Sequence, residues 1–212
     1  MSQRILIVDD NHSFIDTVKV LLKDFSFLYD SSFRFSEAEK KLSQYGGRLN
    51  REIIQSLTDY DSKLQAAMGN IAGQSKKKNQ EIKAEPVELP EIPEINEELT
   101  IDNGYSLVLV EQDTETSMKG IQFIESQIRS AENLNASDFI LLCSKPELIE
   151  EKAKSMGVIV VEKPVRGNVL KNVVTQKTKL AEETLSKAQR ILAEIQRRLE
   201  AENLGTNQKD AS

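Results

Sequence analysis

The sequence predicts an α/β protein with a doubly wound, five-stranded parallel sheet. Apolar runs of four or five residues recur along the chain, as expected for strands that are buried on both faces. Segments with helical spacing of apolar residues separate these runs. Polar and charged residues follow the runs directly, at the sheet edge where doubly wound folds bind their ligands.

The first apolar run, residues 5–8, predicts a central strand that ends at Asp9 and Asp10. From Asn11 onward the apolar residues follow the helical repeat and predict the first helix. Residues 25–29 predict a short second strand. A strand, a helix and another strand in this order form the repeating unit of a parallel sheet.

Two capping boxes predict where later helices begin, because a hydroxyl residue and a glutamate three positions on cap each other's backbone groups. Ser36 at the N-cap and Glu39 at N3 predict a second helix that continues through Leu42. Ser144 and Glu147 repeat the pattern and predict a short helix.

Three further apolar runs predict the remaining strands, at residues 107–110, 139–143 and 158–161. The spacing of apolar residues at 121–128 predicts a helix between the first two of these runs. Because the strands are parallel, the residues that follow them should meet at one edge of the sheet. The candidate site at this edge consists of Asp9, Asp10, Glu111, Cys143, Ser144 and Lys163.

Residues 46–103 are predicted to form a helical insertion that ends in an acidic, proline-rich linker. Gly46 and Gly47 interrupt the preceding helix. A heptad seam follows, with apolar residues at steps of 4, 3, 4, 3 and 4: Ile53, Leu57, Tyr60, Leu64, Ala67 and Ile71. Residues 84–102 then hold seven acids, three prolines and no base, a composition typical of an extended linker.

The C-terminal part of the chain is predicted to be one long helix from Asn168 to about Leu204, with Gly205 as its stop. Its heptad seam consists of Val174, Thr178, Ala181, Leu185, Ala188, Leu192, Ile195 and Leu199. A helix that folds onto the chain's own body is one interpretation of this seam. A helical bundle with the seam of the insertion, either within one chain or swapped between two chains, is another. We expect instead that residues 175–212 form a coiled-coil helix and tail through which the chain forms a homodimer.

Composition excludes several classes of protein. No apolar run approaches the roughly 18–20 residues that span a bilayer, and the first strand leads into acids rather than into a signal-peptide cleavage site. One cysteine, Cys143, and one histidine, His12, exclude an internal disulfide and Cys-rich or His-clustered metal centres. A net charge of −6 is a poor match to nucleic acid. We therefore expect a soluble, cytoplasmic protein.

The order of these motifs resembles the receiver domains of bacterial two-component response regulators. The resemblance is carried by residues 4–11, 107–111, 118–120, the hydroxyl residue Ser144 and the pair Lys163–Pro164. It implies a flavodoxin-like receiver domain at residues 1–45 and 104–174.

Receivers of this family are phosphorylated on a strand-end carboxylate by a partner kinase's phosphohistidine, with a divalent cation bound beside it. By position, the resemblance implies that Asp9, Asp10 and Glu111 are the Mg²⁺ ligands. It also implies that Lys163 and Ser144 contact the phosphoryl oxygens. A histidine kinase or phosphotransfer protein is the implied partner.

The sequence departs from the family at the phosphoacceptor position, where Glu111 stands in place of aspartate. The extra methylene moves the attacking oxygen by about an ångström in a reaction that requires near-attack geometry. Asp113 is a fallback nucleophile, and Val160 stands where the family has an aromatic switch residue. An alignment one residue shorter places Cys143, rather than Ser144, at the hydroxyl position.

We therefore predict an atypical, or pseudo-, receiver that is not an enzyme and acts through protein–protein contacts, with phosphorylation degraded or absent. The alternative is a functional stand-alone response regulator phosphorylated on Glu111 or Asp113 with Mg²⁺. A third hypothesis is an enzyme that uses Asp9, Asp10 and Lys163 for phosphate chemistry. No glycine-rich phosphate loop follows the first strand, which argues against that enzyme.

Each of these residues also has a purely structural interpretation. Asp10 is a candidate cap for the first helix, and Ser144 for the helix that follows it. Lys163 is a candidate ion-pair partner of Glu111 or Asp9. Cys143 at a strand end is typical of a small buried apolar residue.

Overall fold

Five parallel strands form one sheet in the order β2-β1-β3-β4-β5, which confirms the predicted doubly wound fold. The strands are β1 (Gln3–Val8), β2 (Phe27–Ser32), β3 (Leu107–Glu111), β4 (Phe139–Cys143) and β5 (Ile159–Glu162). In the register of the central strands, Val8 lies opposite Val110 and Glu111 lies opposite Leu142. The carboxyl ends of β1, β3 and β4 are therefore at the same edge of the sheet.

This computed structural model describes residues 3–75, 90–93, 98–112, 119–130 and 134–209, and the side chains of all of these except 69–75 and 201–209. The helices are α1 (His12–Leu21), α2 (Phe35–Tyr45), α3 (Arg51–Ser75), α4 (Gly120–Ser130), α5 (Glu150–Met156) and α6 (Gly167–Lys209). The chain divides into one unit of Met1–Arg51 with Thr100–Glu183 and a second unit of Glu52–Leu99 with Thr184–Ser212.

Both faces of the sheet are buried, because successive strand residues point to opposite sides. On one face, Leu6, Val8, Val108, Val110 and Leu141 pack with apolar residues of α2, α4 and α5. On the other face, the alternate strand residues pack with α1 and with the first turns of α6: Ile5, Ile7, Leu107, Leu109, Ile140 and Leu142. This alternation explains why the strands are continuous apolar runs in the sequence.

The helix caps predicted at Ser36 and Ser144 are wrong, and the candidate Asp10 is not the cap of α1 either. The cap of α1 is Asn11, whose side chain accepts from the Phe14 amide, so Asp10 does not cap this helix. Helix α2 begins at Phe35 with Arg34 at the N-cap, which places Ser36 inside the helix. Phe35 is buried and stacks on Phe123 at 4.8 Å between ring centroids, and this packing outweighs a capping preference of about 1 kcal/mol.

Ser144 does not cap a helix either. The residues after β4 form a 3₁₀ turn, Pro146–Leu148, whose N-cap is Lys145, without a side-chain hydrogen bond. Helix α5 begins only at Glu150. Pro146 provides the fixed φ of the first helical position, so the turn begins without the serine.

The predicted boundaries also differ from the structure at α6. This helix includes Gly205 and ends at Lys209, so the glycine is not a stop. A glycine inside a helix costs about 1 kcal/mol relative to alanine, which is not enough to end it. A 3₁₀ turn before β4, Ala136–Asp138, was not predicted, although Asn135 and Asp138 form a capping box there.

The second unit buries part of each heptad seam. Leu57 and Leu64 of α3 are buried, as are Ala188 and Ile195 of α6. Leu199, at the far end of the α6 seam, is 40% exposed. One groove in this unit is lined by Asp61 of α3 and by four residues of α6: Lys187, Arg190, Ile191 and Glu194. The two helices therefore lie side by side at this level.

The segments before α3 and before β3 pair with each other in the first unit. Gly47 forms a parallel bridge with Tyr105, and Leu49 forms an antiparallel bridge with Thr100. Most of the predicted acidic linker lies outside the described residues, and its residues 90–93 have no regular secondary structure. None of the helices in the described part of the chain is long and apolar enough to cross a membrane.

We expect Gly120→Ala to lower the free energy of unfolding by about 1–3 kcal/mol. A Cβ at Gly120 would lie 2.2 Å from the Glu111 carbonyl oxygen, and backbone cannot move aside as a side chain can. Gly167→Ala is the matched control, because Gly167 also begins a helix but its added Cβ would meet only the terminal methyl of Leu21, at 2.9 Å. Urea denaturation measures both variants, and equal losses would contradict this explanation.

Candidate functional site

The carboxyl ends of β1 and β3 and the residue after β5 bring three charged side chains together. The Lys163 ammonium donates to Asp9 Oδ2 at 2.9 Å and also donates to Glu111 Oε1. Asp9 is fully buried, and Lys163 and Glu111 are largely buried. An ionised side chain is costly to bury unless an opposite charge pairs with it. The lysine and the two carboxylates therefore hold each other in place.

Backbone groups fix the position of Asp9. The Asn11 amide donates to Asp9 Oδ1 at 2.9 Å, and the Asp9 amide donates to the Ser32 carbonyl at 3.1 Å. With Oδ2 bound to Lys163, both oxygens of this buried carboxylate have partners. The Asp9 side chain is therefore a fixed point of the site.

Asp9, Asp10 and Glu111 form the carboxylate cluster of the site, with one oxygen of each lying within 4.8 Å of the others. Glu111 Oε2 is buried and has no hydrogen-bond partner among the described residues. Hard divalent cations such as Mg²⁺ take carboxylate oxygens as ligands. The orphaned oxygen and the three converging carboxylates fit such a cation.

Burial raises the pKa of Glu111 to about 7. The hydrogen bond from Lys163 acts in the opposite direction, and the negative charge of Asp9 adds to the increase. Burial has the largest effect, because the loss of hydration destabilises the ionised carboxylate by more than the Lys163 ammonium stabilises it. Near neutral pH, Glu111 therefore exists in both protonated and ionised forms.

The residue after Glu111 closes the turn into α4. Gln112 is buried, its Oε1 accepts from the Ile121 amide at 2.9 Å, and its carbonyl accepts from the Gly120 amide at 3.0 Å. These bonds bring Gly120 against the Glu111 backbone. The fallback nucleophile Asp113 and the residues 114–118 lie outside the described part of the chain.

The residues after β4 are less closely joined to the site. Ser144 is exposed, and among the described residues no hydrogen bond links its hydroxyl to Glu111 or Lys163. Cys143 is buried, and its Sγ accepts from the Lys145 amide at 3.4 Å. The Cys143 carbonyl accepts from the Lys163 amide at 2.8 Å, which connects β4 to the lysine through backbone alone. Val160 of β5 is partly buried and packs against the apolar cluster that β1, β3 and β4 form with α2, α4 and α5.

Sequence reasoning missed Phe14, whose ring lies beneath the Lys163 ammonium at 4.0 Å from the ring centroid. An ammonium over an aromatic face is attracted by the ring quadrupole, so Phe14 holds Lys163 towards the two carboxylates. The sequence signal of Phe14 was only its place in the apolar repeat of α1, which does not distinguish it from a core residue.

No protein-family model matches this sequence. No curated protein matches it either. Among solved structures, the signal receiver domain of an HD domain-containing protein from Pseudomonas fluorescens Pf-5 is similar over 89% of this chain and 93% of its own, at 14% identity and a TM-score of 0.52. A response regulator receiver domain protein from Clostridium thermocellum is similar over 85% and 97%, at 10% identity and a TM-score of 0.50.

A third similar structure is a fusion that carries the yeast Spc42 trimeric coiled coil, over 97% of each chain, at 15% identity and a TM-score of 0.54. At such low identities the likeness concerns the fold. The sheet and its helices have the fold of response regulator receiver domains.

The raised pKa of Glu111 predicts how stability depends on pH. Between its usual pKa of 4.5 and about 7, the folded chain binds the Glu111 proton more tightly than the unfolded chain does. The free energy of unfolding should therefore fall as the pH rises through this range. Glu111→Gln removes this contribution, so its stability should change less over the range, by on the order of 1 kcal/mol.

Urea denaturation at several pH values gives the two slopes. Burial also raises the pKa of Asp138, and this group acts in both proteins, so the difference between the slopes isolates Glu111. Identical slopes would show that Glu111 titrates in its usual range.

Proposed function

We propose that this chain is an atypical receiver that signals through protein–protein contacts, with phosphotransfer degraded or absent. The fold supports a response-regulator-like signalling role. The observation that carries the finer proposal is the bond between Lys163 and Glu111, the glutamate at the phosphoacceptor position. The two groups that phosphotransfer would require are bound to each other.

The chemistry of this pair opposes phosphoryl transfer. One Glu111 oxygen is bound to the Lys163 ammonium. The other has no hydrogen-bond partner among the described residues but is buried, so neither oxygen is exposed to an incoming phosphoryl group. Lys163 also pairs with Asp9. Its ammonium, which would stabilise the oxygens of the transferred phosphoryl group, is therefore already engaged. The negative charge of an ionised glutamate is smaller than that of the phosphoryl group of a phosphorylated receiver. At neutral pH the raised pKa of Glu111 lowers its negative charge further, because part of the population is protonated.

We also propose that Asp9, Asp10 and Glu111 hold Mg²⁺. When bound, this ion would supply positive charge against the clustered carboxylates. Glu111 must lose its proton to act as a ligand, so the affinity should increase as the pH rises through about 7. The buried Oε2 of Glu111 is available for this role without breaking its bond to Lys163.

We propose a protein as the partner, of the histidine kinase or phosphotransfer class that receivers contact. Five large apolar side chains in the described part of the first unit are exposed, and three of them lie beyond β4 in the sequence: Leu148 is 74% exposed, Leu180 53% and Val169 40%. Leu148 belongs to the 3₁₀ turn before α5, and Val169 and Leu180 belong to α6. Exposed apolar groups of this kind support a contact surface for a protein.

Incubation with acetyl phosphate or beryllofluoride and Mg²⁺ tests the proposal. We expect no covalent adduct by intact mass, and amide shifts near Asp9 and Asp10 that Mg²⁺ alone also produces. Glu111→Asp is the matched variant, because it restores the shorter carboxylate and weakens its bond to Lys163. This variant should accept a phosphoryl group at least about tenfold faster than the natural chain. A tenfold rate corresponds to about the free energy of one hydrogen bond, which here would position the carboxylate for attack.

The opposite result supports the rival hypothesis of a functional response regulator. A stable adduct on Glu111 or Asp113 of the natural chain, abolished by Asp10→Ala, would overturn the proposal of degraded phosphotransfer.

We propose in addition that the chain forms a homodimer through α6. Leu185, Leu192 and Leu199 recur every seven residues, which places them in one row along the helix. Leu185 and Leu192 are only partly buried, and Leu199 is 40% exposed. A second copy of the same row would cover these leucines.

Leu199→Glu should convert the dimer to a monomer, because it places a charge in the apolar leucine row. Ser186→Glu is the control, since Ser186 is exposed on another side of the same helix. Light scattering coupled to size exclusion measures the mass of each protein. A natural chain with the mass of one copy, or a Leu199→Glu variant that remains dimeric, would refute the α6 interface.

A further inference from the structure

The first unit contains a cavity at the opposite end of β1 from the carboxylate cluster. Its volume is about 370 Å³, within the range of small-molecule sites. The cavity is lined by Arg4 of β1, Leu28 of β2, Arg48, which precedes α3, and the segment 100–104, which precedes β3. Residues near both ends of the helical insertion thus contribute to it.

The walls of the cavity are held in place by interactions of their own. Gly104 packs so closely on the backbone of Gly47 and Arg48 that a Cβ would lie 2.6 Å from the Gly47 carbonyl oxygen. Asn103 adopts a φ of 63°, and its carbonyl accepts from the Arg4 guanidinium at 3.3 Å. A site built in advance in this way does not have to be ordered by its ligand.

The two arginines of the cavity differ in their partners. Arg4 forms an ion pair with Asp30 at 3.0 Å, and its guanidinium lies over the Tyr45 ring at 4.7 Å from the centroid. The Tyr105 hydroxyl donates to the same Asp30 carboxylate at 2.7 Å. The charge of Arg4 is therefore already compensated.

Arg48 is half-buried, yet its guanidinium forms no ion pair or side-chain hydrogen bond with any residue that the structure describes. Its backbone is engaged: the Arg48 amide donates to the Tyr105 carbonyl at 3.0 Å, and the Arg48 carbonyl accepts from the Ile101 amide at 2.7 Å. A guanidinium presents five N–H donors in a planar fork that suits a carboxylate or phosphate. Arg48 thus offers an uncompensated cation to the cavity.

Leu28 provides an apolar surface beside this cation. It belongs to β2, an edge strand, and is 58% exposed, whereas the apolar residues of the central strands β1 and β3 are buried. A ligand with an apolar part would cover Leu28, which removes exposed apolar surface from water.

We propose that this cavity binds a small organic anion, with its carboxylate or phosphate group on the Arg48 guanidinium and its apolar part on Leu28. This inference goes beyond the proposed signalling function and depends on none of the residues of the carboxylate cluster. It assigns a ligand site to the place where the helical insertion joins the sheet.

Titration of the ¹⁵N-labelled full chain with benzoate and with phenyl phosphate, at constant ionic strength and up to about 10 mM, tests the proposal, since ligands of this size bind in the millimolar range. We expect at least one of the two anions to cause saturable shifts at Leu28, Arg48 and Gly104. Benzyl alcohol, which has the same ring without the charge, should bind at least about tenfold more weakly.

Three variants localise the binding. Arg48→Gln should weaken it at least about tenfold, whereas Arg34→Gln, which removes an exposed arginine elsewhere, should leave it unchanged. Asp102 is exposed and lines the cavity, so Asp102→Asn should strengthen anion binding about two- to threefold by removing a like charge. This last variant changes the affinity upward, so it remains informative if Arg48→Gln does not fold.

The proposal is overturned if neither anion causes saturable shifts at these residues, or if benzyl alcohol binds as tightly as the anions. Equal affinities of Arg48→Gln and the natural chain would also overturn it, because the charge would then lie elsewhere.

Discussion

The pairing of one lysine with two carboxylates is the interaction on which the rest of the site depends. Asp9 is fully buried, and without the Lys163 ammonium it would be a buried charge with only backbone donors. Because the three residues end or follow β1, β3 and β5, the same interaction joins strands that are not all neighbours in the sheet. The geometry of the carboxylate cluster, the raised pKa of Glu111 and the fit to a divalent cation all follow from this arrangement.

The strands were predictable because burial on both faces restricts the residue type at each strand position. A strand covered on both faces must be apolar at every position, and residues 107–110 and 139–143 satisfy this requirement. The starts of α1 and α6 agree with prediction to within about one residue, whereas the start of α2 and the start of the helix after β4 were not predictable, because a cap contributes only about 1 kcal/mol. At α2, the stacking of Phe35 on Phe123 decides where the helix begins, and these two residues are far apart in the sequence.

The candidate site was predictable to the extent that topology alone determines it. Strand ends in a parallel sheet converge, so the meeting of Asp9, Glu111 and Lys163 required no knowledge of side-chain packing. The contribution of Phe14 depends on the path of the Lys163 side chain across its ring, which no sequence pattern encodes. Asp113 lies outside the described residues, so its role stays a prediction.

The bridges from Gly47 to Tyr105 and from Leu49 to Thr100 place the two ends of the helical insertion beside each other. Closing a chain segment whose ends already touch costs little more entropy when the segment becomes longer. The segment between these bridges can therefore differ in length while β1 and β3 stay paired. For protein engineering, the same junction is a place where a reporter domain could replace the insertion without disturbing the sheet.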